Sequence, residues 1–184
     1  MLVFGTEMHL ATFVFVSIEV VIFFYLVIFR LARPDDQTVH LNLVLIFLLL
    51  FYNITGGLLP DPKLPGSYFW QLSIAYATGF ITPSYFPYYV YKAFNLKKLR
   101  FHAYKGAFIF LIIPYILFTI VFGLSGSLKV AQILLIFPVL YGLWLIIMLF
   151  VSIRHKYNNN FKSREPKQEL AVLLLSIAPW VSLP

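Results

Sequence analysis

Cysteine is missing altogether from these 184 residues, and charge is scarce: 11% of the side chains are Asp, Glu, Lys or Arg. The first absence excludes disulfides, thiolate metal sites and cysteine nucleophiles. The second, beside 61% apolar and 19% aromatic residues, excludes an ordinary water-facing surface, because too few polar side chains remain to hydrate one. GxGxxG, P-loop, GxSxG and HExxH patterns are also missing, and the four histidines are too scattered to share a metal. The sequence therefore predicts no catalytic residue, no metal site and no cofactor, and the chain reads as a non-enzyme.

Long apolar runs dominate what is present. A spanning helix needs about 20 apolar residues, since about 1.5 Å of rise per residue must cross about 30 Å of hydrocarbon. Six segments are expected to do so: residues 9–29, 41–59, 68–91, 107–124, 130–153 and 170 onward. The first is no cleavable signal peptide, because no Lys or Arg precedes it while Arg30 and Arg33 follow it. The sixth offers only 15 residues through Pro184, too few to cross comfortably, so a continuation with a seventh span is expected. The fold class is all-α: a polytopic transmembrane helix bundle, one membrane-embedded domain, six spans seen and seven in all.

The basic residues orient this bundle. Arg30 and Arg33, then Lys92, Lys97, Lys98, Arg100 and Lys105, then Arg154, Lys156, Lys162, Arg164 and Lys167 fall in alternate gaps, leaving only Lys63 and Lys129 in the others. Twelve against two is the positive-inside pattern, and it puts the amino terminus outside. A net charge of +7 held in short loops beside spans suits anionic headgroups rather than nucleic acid. Expected partners are thus the lipid bilayer and anionic lipid headgroups at the inner loops, with a homodimer left open and nucleic acid excluded. The loop 95–102 alternates apolar and basic residues and is expected to lie on that lipid; His102 within it reads as a solvated side chain. The aromatic run 85–91 reads as an interfacial anchor.

Polar residues inside the spans are few enough to name. Glu19 is the one acidic residue deep in a span, 11 residues from Arg30 and hence about 16 Å from that boundary. A bare carboxylate is expensive there, so Glu19 must be protonated, paired or wet. Asn53 falls at about the same depth, as do Thr82, Tyr115 and Tyr141, so a polar layer is geometrically allowed. Such groups can be structural hydrogen-bonding glue or a ligand, proton or switching site. Prolines interrupt four successive spans: Pro83 and Pro87, Pro114, Pro138 and Pro179. Each removes a backbone donor and frees a carbonyl one turn earlier, which makes each a candidate hinge, although proline is also common in membrane helices of static packing. Asn53-Ile54-Thr55 matches the glycosylation pattern but lies within a span, where it carries no meaning.

At Tyr85-Phe86-Pro87-Tyr88-Tyr89-Val90-Tyr91-Lys92-Ala93-Phe94-Asn95-Leu96, continuing through Leu99-Arg100-Phe101-His102-Ala103-Tyr104-Lys105-Gly106, the chain resembles the multi-pass membrane input regions of certain bacterial sensor histidine kinases. Ile177-Ala178-Pro179-Trp180 is similar too. The resemblance implies a place in the bacterial cytoplasmic membrane and a cytoplasmic output region beyond Pro184, coupled to an unknown stimulus. It transfers no catalytic residue, because its motifs are structural. The competing expectation is a small transporter or channel subunit that uses Glu19 in a polar path, and a weaker one is a structural membrane subunit.

Overall fold

A computed structural model describes residues 6–156 together with Gln168, Ala171 and Val172, and the regular elements among them are all helices. Five long ones follow one another: α1 (Leu10–Ala32), α2 (Gln37–Leu58), α3 (Tyr68–Ala93), α4 (Lys97–Ser125) and α5 (Leu128–Lys156). Four of them, α1, α2, α4 and α5, are long and apolar enough to cross a membrane. The expected third span exists as the 26-residue α3 but is the least apolar, because it holds its polar side chains against its neighbours. The expected sixth span and Pro179 lie outside the described residues, apart from helical Ala171 and Val172.

Local chemistry starts and stops these helices. Asp36 caps α2 by accepting the backbone N–H groups of Thr38 and Val39 at 2.9 and 3.3 Å, and Ser67 caps α3 through Trp70 N–H. Gly126, at φ +62°, ends α4 in a left-handed turn that a glycine adopts without strain. Arg30 donates to the Pro34 carbonyl and, at 3.4 Å, to that of Asp36, tying the α1–α2 connection. These caps matter because an unmet backbone group in hydrocarbon costs several kcal/mol, on the order of a whole hydrogen bond.

α3 is central. α2 packs along one side of it, α4 and α5 close the other, and α1 lies outermost against α2. The half-buried positions of α1 include Thr12, Val16, Glu19, Phe23, Leu26 and Arg30, stepping alternately by four and three, while Phe15, Val21, Phe24 and Ile28 are exposed. A 3.5-residue step is what keeps two helices in contact along their length. Gly57 lets them approach: a Cβ there would stand 3.0 Å from Met8 Cε and 3.1 Å from Thr12 Cγ2.

The basic end of the bundle differs from expectation. α4 begins at Lys97, ten residues before the expected start, and residues 95–102 are not a loop lying flat on lipid. Leu96 and Leu99, each 1% exposed, plug the bundle against Phe86, Val90, Leu149 and Ile153, while Lys97, Lys98 and Arg100 point outward. The alternation of apolar and basic residues thus serves a core on one side and an exposed surface on the other. The aromatic run 85–91 is likewise part of the structure's interior and not merely an anchor: Phe86, Pro87 and Val90 are buried, and the hydroxyls of Tyr85 and Tyr89 reach α2.

The prolines behave differently from one another. α3 continues unbroken through Pro83 and Pro87. Before Pro114, α4 widens into π-helical turns over His102–Gly106 and Phe108–Ile112, where Ala107 N–H reaches His102 O and Ile113 N–H reaches Phe108 O. A wide turn absorbs the missing donor and the ring that would otherwise collide with the preceding turn. Pro138 follows the tight 3-10 turn Ile133–Leu135 and sits in the first turn of the regular helix that begins at Ile136, where no N–H is needed.

Candidate functional site

Glu19 and Asn53 meet between α1 and α2. Asn53 Nδ2 donates to Glu19 Oε1 at 2.7 Å, a short hydrogen bond that joins the middle of α1 to the last third of α2. The second carboxyl oxygen, Glu19 Oε2, is buried and has no hydrogen-bond partner. A carboxyl group is complete only when both oxygens are met: ionised, it is acceptor-only at both; protonated, it also donates. This pair satisfies half of it. The site is therefore placed by α1 and α2, whose facing stripes bring one acid and one amide together.

Thr82, Tyr115 and Tyr141 do not join that pair. Thr82 Oγ1, on α3, donates to the Leu48 carbonyl of α2 at 3.2 Å; Tyr115 OH, on α4, donates to the Ser73 carbonyl of α3 at 3.1 Å. Tyr141 OH, on α5, lies 3.2 Å from His102 Nδ1 on α4. The expected polar layer did not form: Thr82 meets α2 at Leu48, five residues from Asn53, Tyr115 meets α3 at Ser73, nine residues from Thr82, and counting along a helix leaves the direction of each side chain open. The five residues instead occupy four different helix pairings.

Two features escaped the sequence reading. The first is a ladder along the α2–α3 seam: Thr78 to Thr55 at 2.7 Å, Thr82 to Leu48 O, Tyr85 OH to Leu41 O at 3.2 Å, and Tyr89 OH to Asn42 Oδ1 at 2.9 Å. On α3 these steps are four, three and four; on α2, Thr55, Leu48 and Leu41 are each seven apart. The spacing was visible in the sequence as hydroxyls on a 3.5-residue repeat. Gln71 extends the same face to the far end, accepting from Asp61 N–H at 2.8 Å and donating to Leu64 O at 3.2 Å.

The second is His102, which is buried rather than solvated. Its ring sits in the π-helical part of α4 against Tyr141, whose ring is stacked by Phe110 at 5.0 Å. Gly106 makes room for the contact: a Cβ there would stand 2.8 Å from His102 Nδ1 and 2.9 Å from Tyr141 OH. A histidine with a glycine four residues later is the only sequence sign, and it is weak. Among the described residues no group of three His, Asp or Glu side chains gathers as metal ligands.

Compared with protein-family models, curated proteins and solved structures, the chain matches none.

Proposed function

We propose that this chain is the membrane-embedded input region of a bacterial sensor histidine kinase, a bundle that couples a stimulus to a cytoplasmic output. In this reading the amino terminus is outside, α3 also crosses, the segment from Leu170 completes a sixth span, and a seventh leads from beyond Pro184 to the output. Kinase chemistry belongs to that output and not to these residues. The outward Lys97, Lys98 and Arg100 meet anionic headgroups on the cytoplasmic side.

One observation carries the reading: every successive pair of helices is joined by a polar contact. Glu19–Asn53 links α1 to α2, Thr55–Thr78 and its neighbours link α2 to α3, Tyr115–Ser73 links α3 to α4, and Tyr141–His102 links α4 to α5. Such contacts hold helices in discrete arrangements, and a stimulus acts by favouring one arrangement over another. Polar groups that pair helices suit signalling better than groups lining a common path. The transport reading keeps one observation in its favour, the unpartnered Glu19 Oε2.

The test is the full-length gene product reconstituted in liposomes with radiolabelled ATP. Phosphate incorporation on histidine, altered by Thr78→Val or Tyr115→Phe at equal folded amount, supports the reading. A gene product that ends after its last span, or incorporates no phosphate, overturns it in favour of transport or assembly.

A further inference from the structure

We infer that Glu19 and Asn53 form a proton-binding site whose occupancy clasps α1 to α2. The argument rests on the half-made pair. Asn53 already gives one N–H to Glu19 Oε1 at 2.7 Å, and Glu19 Oε2 is buried with nothing to bond. An ionised carboxylate in this setting keeps one hydrogen bond and no counter-charge. A neutral one carries an O–H, and the natural acceptor for it is the other polar atom of the same amide, Asn53 Oδ1. A carboxylic acid and a primary carboxamide complement each other in this way: the amide N–H goes to the acid carbonyl and the acid O–H goes to the amide carbonyl. The proton is thus the one ligand that turns a single contact into a closed pair of hydrogen bonds.

Proton uptake from water places H on Oε2 and removes the negative charge. A small turn of the Glu19 carboxyl then closes the ring onto Asn53. Release reverses both steps, leaving a charge that hydrocarbon disfavours and that draws water between the two helices. α1 is the helix best placed to respond, since it is outermost and holds to the bundle through α2.

No other group on these elements competes for the role. On α1, Tyr25 is exposed with its ring tilted against Phe29, and Arg30 is engaged at the basic end. On α2, His40 is exposed at the same end, and the Tyr52 ring faces α3, where a Cβ on Gly79 would lie 3.5 Å from it. His9 and Glu7 precede α1 at the opposite end.

The site is independent of any kinase output, so its test reads the bundle directly. The chain has no cysteine of its own, which makes an introduced pair clean. Thr12→Cys with Gly57→Cys places two thiols at a tight contact of α1 with α2, with the Met8 side chain to give way. In membranes carrying the intact protein, a bis-maleimide reporter of short span is applied at acid or at alkaline pH, each yield being normalised to monofunctional maleimide labelling of the single-cysteine variants at the same pH, and is expected to join the helices several-fold more completely at acid pH. Glu19→Gln, which reproduces the neutral, doubly bonded form, is expected to stay at the acid level throughout. Infrared difference spectra of the cysteine-free protein supply the second measurement: a protonated-carboxyl band that disappears in Glu19→Gln and shifts in Asn53→Ala. Equal cross-linking at both pH values, an undiminished pH response in Glu19→Gln, or a protonated-carboxyl spectrum identical in native and Glu19→Gln proteins would each overturn the proposal.

Discussion

Thr55 and Thr78 share more hydrogen-bonding roles than they have protons. Their hydroxyls lie 2.7 Å apart across the α2–α3 seam, while Thr55 Oγ1 also reaches Phe51 O at 2.8 Å and Tyr52 O at 3.2 Å, and Thr78 Oγ1 reaches Ala75 O at 2.9 Å. Two O–H groups face four contacts. Either Thr55 bonds its own helix and Thr78 crosses the seam, or the reverse holds. Either hydroxyl can therefore donate across the seam.

Because either hydroxyl can fall back on its own helix, losing one should cost little. Thr55→Val or Thr78→Val is expected to destabilise the bundle by about 0.6 kcal/mol, the average for a hydrogen bond between membrane helices. The double variant is expected to cost less than the sum, since one shared contact disappears in both. Unfolding in mixed detergent micelles gives the comparison, and strict additivity would show that the seam contact contributes nothing.

Gly106 is expected to be far less tolerant than its surroundings suggest. Gly106→Ala drives a Cβ to within 3 Å of both His102 Nδ1 and Tyr141 OH, which are themselves hydrogen-bonded. The loss should exceed that of Tyr141→Phe, which removes the same bond without a collision, at most about 2 kcal/mol. Gly106→Ala made in a Tyr141→Phe background should be milder than alone, because one of the two colliding atoms is gone. The same unfolding assay reads all three.

At the basic end, neighbouring residues should differ sharply. Leu99→Ala opens a cavity among Val90, Leu149 and Ile153 and is expected to cost about 2–4 kcal/mol, whereas Lys98→Ala should lie within about 0.5 kcal/mol of native. A loop lying flat on lipid would make the two alike. Thermal denaturation of the purified protein separates these outcomes.

Topology is open to direct measurement. Reporter fusions after Arg33 and near Arg100 should be cytoplasmic, and those near Lys63 and Ser127 external. Arg100 and Lys63 on one side would dismantle the proposed orientation.

Much of this was legible in the chain. The apolar runs predicted the five described helices, with α1, α2, α3 and α5 ending within a few residues of expectation. The common depth of Glu19 and Asn53 was countable from the basic boundaries, and the two do touch. The start of α4 was missed because Leu96 and Leu99 are separated by lysines, and a mixed segment beside a span resembles a surface loop until something packs on it. The hydroxyl ladder was missed for a related reason: threonines and tyrosines on one face of α3 look like any other mildly polar residues without a partner helix to face.

By itself the sequence determined that these segments are helices and how far along each one a polar residue stands, since apolar length and rise per residue are local quantities. Only the tertiary structure decided which way each side chain points. Rotation of a helix about its axis is set by its neighbours, so Glu19 found Asn53 while Thr82, Tyr115 and Tyr141 went to other seams. The burial of His102 required still more: a widened turn ahead of Pro114, a glycine that leaves space, and a tyrosine 39 residues away brought to 3.2 Å by the packing of α5 on α4.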